Sequence, residues 1–478
     1  MTEKTYSYTI ETEIPINYRS ELLDFIYQKY IASQEKRFAN VTRTTMDGYP
    51  SLAFAVFDLN GKHVLQVELR VSEPINVIFS PIEESVPENQ VNELKEDLVI
   101  TIELFEEQIR KSTIFFSWRE GEEIVPERIY GKEVNLTNRL FLETQILLFM
   151  VFIVLSMFLF IIFSWVTPII LIAIQFIIVF FSNKIIAKSG DWRITEKNPV
   201  IHFLEYHTPL GEQNEFRKTF SRNKLLELKK EIYEQTIDKK GKIDCTTVNE
   251  IFTKFGLICN PEDLSAKTVN VYQLVRRIAD KFGFPMPEVV VSNTLIPNAA
   301  ASGPSPSRGI VLITTGLLVQ LEEDEIQSVL GHEFGHLKGR DPLLLYGLTA
   351  SEFLLRFYVF FPLFPLIFSS FLFFFYFWAV MTVIYFIAKF FEARADLTSA
   401  IIIGQPKVLA EALEKIGFRR LMFERLPSTR IQEWISMEPH PPIYFRVRRL
   451  EKLEVPVEVK HPLVQSAKEV INGFLSSI

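Results

Sequence analysis

The chain has 478 residues, which is more than one ordinary domain holds and enough for two or three. It is 48% hydrophobic and contains 43 Phe, a composition that favours a membrane component. The 58 acidic residues outnumber the 51 Lys and Arg, so the net charge is −7 and we expect no nucleic-acid partner.

Residues 1–140 are predicted to form a soluble α+β domain. Two segments, Ser51–Leu59 and His63–Ser72, alternate like strands around Asn60-Gly61, a dipeptide typical of hairpin turns. The helical segments predicted on either side are Tyr18–Lys36 and Val91–Lys111. We find no cluster of chemically competent side chains here, so the role of this domain stays open.

Residues 141–183 are almost wholly apolar and are predicted to form a transmembrane hairpin. A span needs about 20 residues, so the block holds two spans that turn near Trp165–Pro168. The basic residues on its flanks are Arg128, Lys132, Arg139, Lys184, Lys188 and Arg193. Positive charge collects on the cytoplasmic side, so we expect both flanks to be cytoplasmic. The alternative is a buried helical hairpin in a soluble core.

Residues 184–262 are predicted to be a polar, helical connector. Cys245 and Cys259 lie fourteen positions apart in it, a spacing that matches no thiolate metal site. We therefore expect two free thiols in a reducing compartment. A helix over Ala266–Phe282 and a strand at Glu288–Val291 are predicted to follow.

A second apolar block, residues 343–391, has 49 residues and room for two more spans. Glu352 and Arg356 interrupt it one turn apart, with the acidic residue first, which is a favourable pair on a helix. Inside the bilayer such a pair would mark a water-filled cavity or a substrate path. The alternative is a helix that projects into the cytosol before it enters the membrane.

The stretch Gly331-His-Glu-Phe-Gly-His-Leu337 contains the pattern H-E-x-x-H, on a helix predicted to start near Glu322–Asp324. His332 and His336 lie one turn apart on such a helix, about 5–6 Å between Cβ atoms, so their imidazoles can share one zinc ion. Glu333 sits about 100° round the helix, where it can take a proton from water instead. The alternative is a helix with two exposed or hydrogen-bonded histidines.

The stretch Glu392-Ala-Arg-Ala-Asp396, directly after the second apolar block, supplies two carboxylates. A catalytic zinc usually takes three protein ligands and leaves one position for water, and Glu392 is the candidate third ligand. Asp396 lies one turn later on the same face, where it can accept the second N–H of a ligand histidine. Two spans separate Glu392 from His332, and an even number is what brings them to the same side of a membrane. The alternative for Glu392 is a charged cap at the end of a membrane helix.

Two further positions stand out less strongly. His440 lies in the proline-rich Glu438–Pro442, six residues before Arg446, and a stiffened histidine near zinc could donate to the oxyanion of a tetrahedral intermediate. The alternative is a histidine in a surface turn. Asn298, taken alone, is a loop residue.

These motifs, in this order, resemble the HtpX-like and CAAX-prenyl-protease group of integral-membrane zinc metallopeptidases. The matching stretches are Phe282–Val289, Pro297–Ala299, Ile310–Leu317, Asp324–Asp341, Phe391–Asp396 and Pro439–Leu450. The chain departs from the HtpX pattern in the 140 residues before its first span and in lacking an aromatic residue soon after Asn298. The departure after Asn298 concerns the substrate pocket, and the zinc motif is intact.

The resemblance implies a zinc endopeptidase with one Zn²⁺ per chain. The implied ligands are His332, His336 and Glu392, with Glu333 as general base. It further implies that Asp396 steadies a ligand histidine, that His440 and Arg446 stabilise the transition state, and that Asn298 holds the substrate backbone on an edge strand.

The implied substrates are membrane-associated or misfolded proteins, cleaved near the cytoplasmic membrane surface. One alternative is a CAAX prenyl protease, although four spans rather than the seven expected there argue against it. Another is a non-catalytic membrane scaffold with a zinc site. Glu333 argues against the scaffold, because a structural zinc site needs no general base.

The predicted fold class is a multi-domain protein of the cell membrane. It has a mainly α-helical, zincin-like catalytic domain with a small β-sheet, two transmembrane helical hairpins and the α+β N-terminal domain. The predicted boundaries are 1–140, 141–183, 184–262, 263–342, 343–391 and 392–478. The N-terminal and catalytic domains are expected in the cytoplasm.

Overall fold

The structure, a computed structural model, describes residues 5–58, 61–82, 86–127, 145–188, 190–208, 220–368, 371–424 and 427–477. Asn60 and the basic residues Arg128, Lys132 and Arg139 of the predictions lie outside these ranges. The described chain is mainly helical with some β-sheet, as predicted. Its two compact units comprise Met1–Ile124, His202–Thr268 and Gly417–Met422 in the first, and Val125–Ile201, Val269–Ile416 and Phe423–Ile478 in the second.

The strands are β1 (Tyr6–Ile10), β2 (Phe38–Met46), β3 (Tyr49–Phe57), β4 (His63–Arg70), β5 (Ile75–Pro81), β6 (Thr113–Trp118), β7 (Trp192–Ile194), β8 (Val200–His207), β9 (Leu264–Asn270), β10 (Glu288–Ser292), β11 (Ala299–Ser302) and β12 (Ile310–Thr314). The sheets of the described residues have the strand orders β1-β5-β4-β3-β2, β6-β8-β9 and β11-β12-β10-β7.

The helices are α1 (Arg19–Ile26), α2 (Glu88–Lys111), α3 (Gln145–Phe163), α4 (Thr167–Phe180), α5 (Ser182–Ala187), α6 (Arg222–Gln235), α7 (Cys245–Phe255), α8 (Val271–Phe282), α9 (Thr315–Gln320), α10 (Glu323–Gly339), α11 (Asp341–Leu355), α12 (Phe361–Leu363), α13 (Pro365–Phe368), α14 (Leu372–Ile403), α15 (Pro406–Glu424), α16 (Pro427–Ile435), α17 (Ile443–Glu451) and α18 (Pro462–Leu475).

The first unit is built on the five-stranded antiparallel sheet. Leu65, Val67 and Leu69 of β4 are at most 1% exposed and alternate with less buried residues, the period of a strand with one face on a core. Helix α2 contributes Val91 and Leu98 to the same core at helical spacing. β3 and β4 pair antiparallel, so the predicted hairpin is confirmed.

The predicted connector, residues 184–262, is divided between the two units. β8 pairs antiparallel with β6, which places residues 202–268 in the first unit. β7 pairs instead with β10 in the second unit. The sequence shows no sign of this division, because pairing partners far apart in the chain decide it.

Cys245 and Cys259 form a disulfide, with their Cα atoms 5.6 Å apart. The prediction of two free thiols is therefore wrong. Cys245 opens α7, and Gly256 ends that helix in a left-handed conformation with φ 83°. This turn sends the chain back along α7, so that residues fourteen positions apart in sequence meet.

The predicted helix over Ala266–Phe282 is wrong in its first part. Residues Leu264–Asn270 form β9, and the helix begins only at Val271. The Asn270 side chain accepts a hydrogen bond from the Gln273 N–H at 2.9 Å and caps the helix there. The strand Glu288–Ser292 agrees with its prediction to within one residue.

Three helical stretches of the described residues are long and apolar enough to cross a membrane: Val154–Phe180, Asp341–Leu363 and Leu372–Ile403. The first is broken at Ser164, whose φ is 45°, and the Thr167 hydroxyl donates to the Leu159 carbonyl eight residues earlier at 3.0 Å. The break lies beside the predicted turn of the first hairpin. The structure therefore counts three candidate spans, and four crossings remain a prediction.

Glu352 and Arg356 pair as predicted, with Arg356 Nε 3.1 Å from Glu352 Oε1. The Tyr376 hydroxyl from α14 donates to the same oxygen at 3.0 Å. The Arg356 guanidinium also lies over the Phe353 and Phe377 rings. Whether this cluster lies inside a bilayer stays a prediction.

The second unit contains the four-stranded sheet that borders the predicted metal site. β10 and β12 are parallel, and β11 pairs antiparallel with β12 at one edge. Val289 and Val291 in β10 and Val311 in β12 are at most 1% exposed, so this sheet has a buried apolar face. Helix α10, which carries the H-E-x-x-H pattern, contacts β11.

Candidate metal centre and active site

Helix α10 begins and ends at clear local signals. Glu322 precedes it, and its backbone N–H donates to the Glu325 side chain at 2.9 Å, half of a capping box. Acidic residues also fill the first turn, where the helix dipole favours negative charge. Arg340 ends the helix with φ 56°. The start near Glu322–Asp324 is confirmed.

Two glycines bring α10 unusually close to α14. A Cβ on Gly335 would lie 3.0 Å from the Ala395 Cα, and one on Gly331 would lie 2.6 Å from the Ser399 Oγ. Because neither glycine has a side chain, the α10 backbone meets the α14 backbone at Gly335 and α14 side chains at Gly331. The residues next to these glycines, His332 and His336, therefore face the start of Glu392–Asp396 directly.

The three predicted ligands meet. His332 Nε2 lies 3.1 Å from His336 Nε2 and 3.4 Å from Glu392 Oε2, and His336 Nε2 lies 3.4 Å from Glu392 Oε1. Ligands at about 2.05 Å from a tetrahedral zinc ion are about 3.3 Å apart. Glu392 Oε2 is buried and accepts no hydrogen bond from the described residues. Donor types, spacing and this unsatisfied oxygen all fit one bound zinc ion.

Each ligand histidine contacts a second carboxylate through its other ring nitrogen. His332 Nδ1 lies 2.8 Å from Asp396 Oδ1, the partner that the sequence predicts. His336 Nδ1 lies 2.7 Å from Asp341 Oδ2, which the sequence reasoning missed. Such contacts orient the ring and select the tautomer that binds metal. The sequence did contain a signal for this partner, because an Asp follows the second histidine by five residues.

An arginine in turn contacts each of these carboxylates. Arg446 donates to Asp396 from Nε at 2.9 Å and from Nη2 at 2.6 Å, a two-bond clamp in a buried position. Arg394 donates to Asp341. The contacts of Arg446 favour a positioning role. They leave its predicted transition-state role untested.

Glu333 lies beside the ligands without joining them. Its Oε2 accepts a hydrogen bond from the Ala301 N–H of β11 at 2.9 Å. Burial raises the pKa of Glu333, against the opposing influence of His332 and His336. Its carboxylate is thus fixed between the metal ligands and the edge strand.

The electrostatics of the cluster favour positive charge. Burial lowers the pKa of His332, but the neighbouring Asp396 and Glu392 carboxylates outweigh burial and raise the pKa to about 10. Burial also lowers the pKa of His336, and Glu392 and Asp341 reverse that effect. Carboxylates that favour an imidazolium here equally favour a bound cation.

The two remaining predicted residues, His440 and Asn298, are more exposed than the residues of the cluster. His440 Nε2 is 3.4 Å from Glu392 Oε2, and its side chain is 46% exposed. Asn298 immediately precedes β11 and is exposed, and its N–H and carbonyl both bond Thr314. The structure therefore brings His440 to the ligand cluster and places Asn298 directly before the edge strand whose Ala301 bonds Glu333.

Three comparisons with known proteins are consistent with this geometry. The family model for peptidase family M48 matches residues 265–454. A protease HtpX homolog of Gemmatimonas aurantiaca is 31% identical over 214 residues, which cover 38% of this chain and 75% of that protein. Protease HtpX homolog 2 of Methanosarcina acetivorans is 28% identical over 218 residues, 38% of this chain and 72% of that protein.

Among solved structures, the crystal structure of S. mikatae Ste24p is similar to 37% of this chain and 49% of that chain. The sequences are 18% identical there, and the TM-score is 0.29. A likeness this loose supports no argument about fold or activity.

Proposed function

We propose that the metal of this chain is one zinc ion and that the chain is an endopeptidase. The premise is that the chain belongs to peptidase family M48, with the HtpX homologues, and is a membrane metallopeptidase. Its proposed substrates are membrane-associated or misfolded proteins. The observation that carries the proposal is the meeting of His332, His336 and Glu392 at ligand spacing beside Glu333.

The ligands and the general base have separate tasks. A bound zinc ion would polarise a peptide carbonyl and lower the pKa of a water molecule. Glu333 would accept the proton of the attacking water and pass it to the leaving amine. The Ala301 N–H holds the Glu333 carboxylate in one orientation, which favours rapid proton transfer because the carboxylate need not reorganise.

His440 and β11 are proposed to act on the substrate. The His440 imidazole would donate a hydrogen bond to the oxyanion as the carbonyl becomes tetrahedral. β11 lies at an edge of its sheet, so an extended peptide can pair with it. Asn298, at the start of that strand, would hold the peptide backbone.

Metal analysis beside proteolysis tests the proposal. We expect the purified chain to contain about one zinc and to cleave casein, to lose cleavage with a chelator and to regain it with added zinc. Glu333→Gln is the matched control, since it should bind zinc without cleaving. Cleavage that persists in chelator would contradict the proposal, and zinc binding without any cleavage would favour the scaffold alternative.

The orientation in the membrane is part of the proposal. The basic Lys184, Lys188 and Arg193 beside the first apolar block favour a cytoplasmic catalytic unit. The disulfide at Cys245 favours an oxidising compartment instead. Cysteine labelling in intact cells decides between them: a probe at Ser428 that reacts with an impermeant outside reagent would overturn the cytoplasmic placement.

A further inference from the structure

The segment that carries His440 has no helix or strand of its own. Residues 436–442 join α16 to α17, and Pro439, Pro441 and Pro442 stiffen them. His440 must nevertheless stay close to Glu392, from which its Nε2 is 3.4 Å away. Because the segment has no helix or sheet hydrogen bonds of its own, its position depends on side chains from other elements.

Lys389 binds the segment from α14. Its side chain is 0% exposed, and Nζ donates to the main-chain carbonyl of Glu438 and to that of Ser436 at 3.4 Å. Lys389 lies three residues before Glu392, on the same side of the helix. One rigid helix therefore carries both the metal ligand and the anchor of the His440 segment.

Glu424 binds the other end of the segment. It is 1% exposed, and its two oxygens accept hydrogen bonds from the Ile443 N–H at 2.8 Å and the Tyr444 N–H at 3.0 Å. These amides open α17, where the helix dipole favours a negative charge. The two main-chain carbonyls after α16 favour the Lys389 ammonium because they accept its hydrogen bonds.

Both charges are buried, and a buried charge is unfavourable unless hydrogen bonds compensate it. An apolar side chain would avoid that desolvation. The contribution of Lys389 and Glu424 is therefore the position that their hydrogen bonds impose on the segment. We propose that Lys389 and Glu424 are positioning residues that hold His440 against Glu392 from either side. This inference rests on the proposed function, in which His440 contacts the reacting carbonyl.

A double-mutant cycle tests the inference on the full-length zinc-loaded protein. Lys389→Met keeps the length of the side chain and removes its donors. We expect about one bound zinc, an unchanged KM and a kcat about 10–100-fold lower, because a misplaced group loses alignment with the transition state. In a His440→Ala background, Lys389→Met should lower kcat no further, since its effect passes through His440.

A second variant and a matched control protect the test against misfolding. Glu424→Gln keeps the shape of the side chain and should show the same pattern with a smaller loss of kcat. Lys415→Met removes another largely buried lysine, one whose Nζ lies 2.7 Å from Glu325 Oε1, and should leave kcat unchanged. Lys389→Arg, which restores a donor, should recover part of the loss.

Hydrogen exchange adds a readout that does not depend on turnover. Lys389→Met should speed exchange in residues 436–444 and leave α10 protected. Additive losses with His440→Ala, wild-type kinetics in His440→Ala, loss of zinc in Lys389→Met, or unchanged exchange at 436–444 would each overturn the inference. A wild-type chain without chelator-sensitive cleavage would instead contradict the proposed function, and the exchange result would still decide whether Lys389 holds the segment.

Discussion

The carboxylate behind His332 in the metal centre is more fully hydrogen-bonded than the carboxylate behind His336. Asp396, behind His332, is 0% exposed, and Arg446 bonds both of its oxygens. Asp341, behind His336, has one buried oxygen that accepts no hydrogen bond from the described residues. Asp341 also lies at the junction of two helices, whereas Asp396 lies inside one. The orienting carboxylate is thus bonded at both oxygens behind His332 and at one oxygen behind His336.

The largest effect is expected from Glu333, the proposed general base beside both histidines. Glu333→Gln should lower kcat by about 10³-fold or more, because the amide cannot accept the proton, while zinc stays near one per chain. Zinc analysis and casein cleavage on the same sample measure both quantities. Wild-type cleavage by this variant would show that the general base lies elsewhere.

The second-largest effect is expected from Glu392, the proposed ligand that contacts both histidines. Glu392→Ala should lower zinc occupancy and turnover together, because two histidines alone do not complete the site. Dialysis against metal buffers of graded free zinc gives the affinity. A variant that kept full zinc would show that the third ligand is another residue.

The two carboxylates are compared directly by Asp396→Asn and Asp341→Asn. Loss of an orienting carboxylate typically weakens metal binding by about 10–100-fold, and we expect the Asp396 change near the upper value and the Asp341 change near the lower. Asp324→Asn, on the exposed first turn of α10, is the control and should change zinc affinity little. Equal losses at the two sites would remove the distinction between the two carboxylates.

The smallest effect is expected from Arg446, which contacts Asp396 rather than a proposed metal ligand. Arg446→Met should weaken zinc binding several-fold, because it releases Asp396, and should add little in an Asp396→Asn background. Titration of zinc into the four proteins of this cycle measures the coupling. A fall in kcat at unchanged zinc affinity, in both backgrounds, would show that Arg446 acts on the transition state after all.

Much of the metal centre could be predicted because its residues follow the period of a helix. His332, Glu333 and His336 belong to one turn, and Glu392 and Asp396 to another, so each group is fixed by local geometry. The same holds for the apolar stretches, whose length alone suggests a membrane span. Helix α10 and the hairpin of β3 and β4 likewise carry their own local signals.

Apart from Asp341, what was missed depends on contacts between segments far apart in sequence. Arg446 clamps Asp396 fifty residues away, and the amide of Ala301 bonds Glu333 thirty-two residues away. The disulfide and the division of the connector depend on how α7 turns back and on which strand β8 pairs with. No periodicity encodes such meetings.

The sequence by itself therefore determined which side chains are candidates for the chemistry, because the spacing within each of the two motifs is a property of a single helix. Only the tertiary structure decided how tightly each is held. The close contact at Gly331 and Gly335, the arginines behind the carboxylates and the Lys389 anchor all arise when α10, α14 and the His440 segment pack together. Ligand identity is local, whereas ligand orientation depends on packing.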